Sequence, residues 1–478
     1  MSRRIGSVLA FPIIVSLLAV MSLAAGAAAS AAEPQGSKAK RRPNVLVIFS
    51  DDHGWADLGA QGVDADVRTP HLDQLARDGV RFTRGYVTAP QCTPSRAGLM
   101  TGRYQNRCGV EHNGIPLQPD VVTLPERLRD AGYLTGMSGK WHLDMEDRRE
   151  GSGGKNVLLP ACSPHAQGFA EYFDGIRRDY SASHALDGTA FADPPHLVRD
   201  VRCRVVVQTE AALSFLRRRA AEPDRPWFHY LAYMAPHVPL ESPEPWFSRT
   251  PAHLPQERRQ ALALVAAIDD GVGRIRQALR DMGQEDDTLI FFIGDNGAPL
   301  GRQSWNGSRN LPLNGQKGML AEGGIRVPFL AAWPGTIPAG QVFDQPVISL
   351  DVAATAAALA GLPRDDSLDG VDLLPHLTGR SARPPHDTLY WRWMSQAAIQ
   401  EFPHKLLVLG DQKPLLFDVT TPEGERADRD LAAALPDVAN RLEAKLRTWT
   451  ADLQPPGMPP ALGKHHVAQF REHGILPP

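Results

Sequence analysis

The sequence is short of most features that would settle a function class at once. Net charge is only −3 across 478 residues, and lysine and arginine are scattered rather than striped, so no footprint for nucleic acid is present. No internal repeat argues for a solenoid or propeller. No Gly-x-x-x-x-Gly-Lys-Ser/Thr loop argues for nucleotide phosphates. Long apolar runs are absent apart from one, Val8 to Leu23. It follows Arg3 and Arg4 and precedes small residues with Ala-x-Ala sites up to Ala32, the layout of a secretory signal peptide. A retained anchor is the alternative, although the run is short for a span. No cysteine follows it to carry a lipid. Export to the periplasm or the exterior, with no stable membrane span, is the expectation.

What remains is an ordinary globular composition, 42% hydrophobic and 22% charged, long enough for two to three domains. Residues 33–42 read as a linker. Val45-Leu46-Val47-Ile48 is a continuous apolar run, as in a strand buried on both faces. Thr69-Pro70 opens a helix that Gly79 stops, and Thr123 to Glu126 has capping-box spacing before a helix ended by Gly132. Further strands are expected at residues 134–137, 227–233, 289–293 and 328–333, and helices at 205–219, 256–282 and 351–359. Residues 146–168, polar and Gly-rich, read as a loop. Alternating strands and helices predict an α/β layer sandwich with a large, mostly parallel mixed sheet over residues 43–380. A composition change near 377–385 precedes a small domain, 385–454, with short strands at 389–393, 405–409 and 414–419 and a helix at 442–449. Residues 455–478 read as an extended tail.

The polar residues that stand out follow strand ends, where open α/β sheets bind ligands. Asp51, Asp52, Asp295 and Asn296 form an all-oxygen set suited to a hard cation, Ca²⁺ or Mg²⁺, rather than zinc; turn chemistry is the plain alternative for each pair. Cys92 lies where a helix should begin, with Thr93 as its cap and Pro94 in its first turn, so backbone N–H groups and the macrodipole favour an anion there. Arg96, one turn on, points at the same spot. Arg96, Lys140 and Lys317 are candidate clamps for an anionic group, and His142 and His237 are candidates for proton transfer. The four cysteines, Cys92, Cys108, Cys162 and Cys203, allow two disulfides, or one if Cys92 is otherwise used.

Cys92-Thr93-Pro94-Ser95-Arg96, closing with Thr101-Gly102, resembles the signature of the type I sulfatases of the alkaline phosphatase superfamily. Asp51-Asp52, Gly139-Lys140-Trp141-His142, Ala235-Pro236-His237, Gly294-Asp295-Asn296-Gly297 and Gly315-Gln316-Lys317-Gly318 extend the resemblance over residues 43–450. It implies an alkaline-phosphatase-like sandwich with a small C-terminal antiparallel sheet and helix. It also implies sulfate ester hydrolysis by formylglycine, made from Cys92 by a formylglycine-generating enzyme. Asp51, Asp52, Asp295, Asn296 and the converted Cys92 would hold the cation, usually calcium, with magnesium as second choice. Lys140 and Lys317 would bind the sulfate and Arg96 the formylglycine hydrate. His237 would face the leaving oxygen, and His142 or Asp295 would help the later deprotonation.

Asp144 departs from the pattern, since the family often has glycine there. Trp305-Asn306-Gly307-Ser308 resembles loops that shape substrate pockets in carbohydrate sulfatases, or else is an ordinary turn with a glycosylation-type triplet. Residues 187–195 and 241–250 are further rim candidates. A sulfated saccharide, or an aryl sulfate, is the expected substrate. A phosphate or phosphonate ester hydrolase of the same superfamily and an inactive glycan-binding homologue are the rival readings.

Overall fold

The computed structural model describes residues 41–147, 156–421 and 424–477. The expected signal peptide, nearly all of the linker and part of the 146–168 loop lie outside the described residues. Among the described residues no helix is long and apolar enough to cross a membrane. Arg42–Pro478 packs as one unit.

Its centre is a ten-stranded sheet. From one edge to the other the strands are Gln341–Phe343, Val80–Phe82, Phe329–Ala332, Thr288–Gly294, Asn44–Asp51, Trp227–Pro236, Leu134–Gly139, Glu171–Asp174, Asp179–Ala182 and His196–Arg199. The five strands from Thr288–Gly294 to Glu171–Asp174 are parallel to their neighbours, and antiparallel pairs join on both sides. Asn44–Asp51 is buried throughout because it has core on both faces. Val45, Val47 and Phe49 enter one apolar cluster, and Leu46 and Ile48 enter the other, the two-residue period of a strand split between two helical layers. The helices Pro70–Asp78, Arg204–Arg219 and Gln256–Asp281 cover the second face, with Leu72, Phe215 and Ile268 in its core. Cys92–Thr101 and Asp351–Leu359 cover the first. The Thr123 capping box forms as its spacing predicts, ahead of the helix Leu124–Asp130.

The C-terminal part is a four-stranded antiparallel meander, Leu389–Trp393, Gln396–Glu401, His404–Leu409 and Leu415–Asp418. Leu389, Trp391, Leu407 and Phe417 join the first-face core. Ile399, Leu406 and Leu416 pack instead on Leu442 and Leu446 of the helix Pro436–Thr450. Trp391 Nε1 donates to the Val87 carbonyl at 2.8 Å. Lys405, without solvent exposure, pairs with Glu322 at 3.0 Å and Glu425 at 2.9 Å.

Two local expectations need correction. Within the 146–168 segment, Met145–Asp147 pairs antiparallel with Asn156–Leu158; backbone pairing holds what lacks an apolar pattern. The tail is not extended throughout, for Lys464–Glu472 is a helix and Phe470 and Ile475 are buried. None of the four cysteines is in a disulfide.

Candidate active site

The direction of the parallel strands fixes where polar residues collect. Asn44–Asp51, Trp227–Pro236, Leu134–Gly139 and Thr288–Gly294 run the same way, so their C-terminal ends open on one edge of the sheet. Those ends deliver Asp51 and Asp52, His237, Lys140 and His142, and Asp295 and Asn296. Asp295 N donates to the Ser50 carbonyl and Lys140 N to the Ala232 carbonyl, both at 2.8 Å. Gly139 makes this closure possible: its φ is +99°, and a Cβ there would lie 2.0 Å from the Ala232 oxygen. Asp52 (φ 59°) and His142 (φ 62°) are two of the three non-glycine residues with positive φ among the described residues. Such backbone costs about 1–3 kcal/mol and persists only where its surroundings hold it.

The helix that presents Cys92 starts at Cys92 itself, after Gln91 in extended conformation. Thr93 does not cap it. Its Oγ1 donates to the His142 carbonyl at 3.1 Å, and the free Thr93 N–H donates to Asn113 Oδ1 at 2.9 Å. The cap thus comes from a separate loop, which places the acceptor without bending the helix start. All ten residues of the helix are buried, and Cys92 is 1% exposed.

Cys92 Sγ lies 3.4 Å from Asp51 Oδ1 and 3.4 Å from Lys317 Nζ. Burial, with the Asp51 charge added, pushes the thiol well above its ordinary value, so the unmodified side chain is a poor nucleophile here. Arg96 does not reach into open space. Its Nη2 binds Asp295 Oδ2 at 2.8 Å and Asp51 Oδ2 at 3.2 Å, and its Nη1 binds the Lys140 carbonyl at 2.9 Å and Tyr230 Oη at 3.1 Å. Lys140 Nζ contacts Asp51 Oδ2, and Lys317 Nζ lies 2.6 Å from Asp52 Oδ1. Three carboxylates therefore face three cations. Burial works against charge on Asp51, yet Lys140 and its neighbours hold that carboxyl well below the usual range. Burial and the Asp51 charge push Asp295 up to about 7.

Donor atoms of Asp51, Asp52, Cys92 and His237 all lie within 4.8 Å of one another. Asp295 Oδ1 accepts the Asp52 N–H at 2.9 Å, and Asn296 Nδ2 donates to Asp52 Oδ1 at 2.7 Å. Asn296 Oδ1 is buried without a hydrogen-bond partner. An orphaned oxygen beside crowded carboxylates fits a hard divalent cation. His237 Nε2 stands 3.6 Å from Asp52 Oδ2, and its side chain is 23% exposed. Burial lowers its pKa against the pull of Asp51 and Asp52. Burial and then Lys140 drive that of His142 well below the usual range.

All the residues singled out for chemistry meet at this edge. Asp144 is buried behind it, and burial pushes its carboxyl up to about 6. Its carbonyl accepts the Leu159 N–H at 2.8 Å, tying the Lys140-to-Asp144 segment to the chain just after the small hairpin. Asn306 faces inward and is fully buried, so it is neither a pocket wall nor a glycan acceptor. Sequence reasoning missed Asn113, Tyr230 and the pair Asp57–Arg258, joined by two hydrogen bonds of 2.8 Å. Their partners lie far away in the chain, and no motif announces them.

Comparison with known proteins identifies the family. The family model described as Sulfatase matches residues 43–362, and one described as N-sulphoglucosamine sulphohydrolase, C-terminal, matches 315–416. The chain is 34% identical over 398 residues to the N-acetylgalactosamine-6-sulfatase of Canis lupus familiaris, covering 76% of this chain and 70% of that protein. It is 36% identical over 385 residues to the arylsulfatase A of Homo sapiens, covering 74% and 71%. Among solved structures, Ps i-CgsB in complex with k-i-k-neocarrahexaose superimposes with a TM-score of 0.75 at 28% identity, covering 91% of this chain and 98% of that one.

Proposed function

Since the chain belongs to the sulfatase family and is a sulfuric ester hydrolase, we propose that it desulfates a saccharide outside the cytoplasm, using formylglycine made from Cys92. The observation that carries this reading is the position of Cys92: first residue of a buried helix, 3.4 Å from both Asp51 and Lys317. The saccharide complex of Ps i-CgsB and the likeness to an N-acetylgalactosamine-6-sulfatase support the substrate class. Export rests on the layout of residues 1–32. A formylglycine-generating enzyme is the partner implied.

Asp51, Asp52, Asp295 and Asn296 would hold a calcium ion, which tolerates irregular oxygen ligation better than magnesium and would supply positive charge for the sulfate oxygens. Once converted and hydrated, residue 92 would supply one hydroxyl to attack sulfur as the bond to the leaving oxygen breaks, and a second whose deprotonation would release sulfate. The protein's own groups do the rest. Lys140 and Lys317, now resting on Asp51 and Asp52, turn their ammonium groups to the anionic oxygens, where charge placed in advance lowers the barrier most. Arg96 fixes the Asp51 and Asp295 carboxylates. His237, half-buried with Nε2 3.6 Å from Asp52 Oδ2, gives a proton to the departing oxygen. His142, kept neutral by burial, takes one up beside Thr93.

Mass spectrometry of tryptic peptide 85–96 from protein made in its native host tests the central point. An aldehyde at residue 92, with hydrolysis of aryl sulfate far exceeding that of aryl phosphate, is expected. An unmodified thiol throughout the sample would sink the proposal.

A further inference from the structure

The loop that begins at Trp305 passes behind the site, and one side chain on it joins two strand ends. Asn306 Nδ2 donates to the Asp52 carbonyl at 3.0 Å and to the Pro236 carbonyl at 3.4 Å. Its Oδ1 accepts the Ser308 N–H at 3.0 Å, which fixes the amide so that its hydrogens face the carbonyls. We propose that Asn306 is a positioning residue that holds Asp52 and the Pro236–His237 segment at one fixed separation. It thereby sets the donor spacing of the cation site. The inference rests on the cation reading given above and adds to it a residue that touches neither ion nor substrate.

Three observations make the position consequential. Asp52 has left-handed backbone, and a strained residue stays in place only when its neighbours fix it on several sides. Its N–H is held by Asp295 and its carboxylate by Asn296 and Lys317; its carbonyl is held by Asn306. Pro236 immediately precedes His237, whose ring nitrogen belongs to the same cluster of donors. The loop itself is anchored. Ser308 Oγ donates to Asp57 Oδ2 at 2.6 Å and accepts the Gly54 N–H at 2.9 Å, while Arg258 Nη1 donates to the Gly307 carbonyl at 3.0 Å. Asn306 is thus a rigid bracket, not a mobile rim residue, and groups that orient metal ligands from behind matter nearly as much as the ligands.

The test compares N306A, N306D and T123A with wild type by thermal unfolding across a calcium titration. N306D keeps the side-chain volume if N306A does not fold. T123A removes a helix cap whose partners, Glu126 and Gln167, are not among the cation donors. A general loss of stability lowers the melting temperature equally with and without calcium; loss of positioning shrinks the calcium-induced shift. Both Asn306 variants should need about 10-fold to 100-fold more calcium for a half-maximal shift, and T123A should need the wild-type amount. Wild-type response in the Asn306 variants, or equal weakening in T123A, overturns the inference. A wild type that ignores calcium overturns the cation reading, and this inference with it.

Discussion

At the scale of single residues, the chemistry depends on charges that already have partners. Lys140 and Lys317 rest on the acids that would otherwise repel one another, so in the mechanism proposed above each would exchange one anion for another when substrate arrives. Lys317→Met should lower kcat on an aryl sulfate about 100-fold to 1000-fold, with an unchanged circular dichroism spectrum as the control for folding. Cys92→Ser keeps the shape of the side chain, but an unoxidised serine lacks the second hydroxyl through which sulfate would leave, and multiple-turnover hydrolysis should fall by about four orders of magnitude. Steady-state assays at high substrate decide both. The residues named in these predictions could be read from the sequence because each sits in a compact motif. Asn113, Asn306 and Arg258 could not. Each owes its role to a partner on another element, such as the Thr93 N–H for Asn113, and local spacing carries no trace of such a contact.

Among the elements, helix ends give the sharpest tests. Thr123 accepts the Glu126 N–H and also donates to the Gln167 carbonyl at 2.8 Å. Thr123→Ala should cost about 1 kcal/mol or somewhat more, read as a lower urea midpoint with an unchanged slope. The start of Asp351–Leu359 is organised by Asp351, which accepts the Ile348 and Val371 N–H groups at 2.9 Å and meets His386 Nε2 at 2.8 Å. Burial opposes charge on that imidazole, but Asp351 outweighs it and raises the pKa of His386. A raised value in the fold means the protonated ring stabilises the native state. That stabilisation is complete below the unfolded value of about 6.5 and is lost as pH rises through the raised one. Unfolding of wild type and His386→Gln at several pH values should give curves that converge toward alkaline pH. Element type was readable where pattern and environment agreed. Asn44–Asp51 is apolar at consecutive positions because both faces are covered. Gln396–Glu401 was missed because Gln-Ala-Ala-Ile-Gln-Glu has little strand preference of its own; it is a strand because it pairs on both sides.

At the scale of the whole molecule, the C-terminal meander is fastened to the rest by a buried charge as well as by apolar contact. Lys405 faces Glu322 and Glu425, and Glu322 also accepts from Tyr86 Oη at 2.9 Å. Lys405→Met leaves Glu425 without its cation and Glu322 with Arg326 alone, at 3.4 Å, and should cost about 3–5 kcal/mol, measured by denaturant unfolding. The sheet, its parallel centre and the C-terminal layer were all readable in outline, whereas the helix at Lys464–Glu472 was hidden behind a proline-rich approach. The burial of the Cys92 helix sets a timetable. A side chain with 1% of its surface open is beyond the reach of another protein once the chain has closed around it. The conversion proposed above would then belong to the interval between synthesis and folding, and a cell that made the chain faster than it converted it would accumulate well-folded molecules that never turn over.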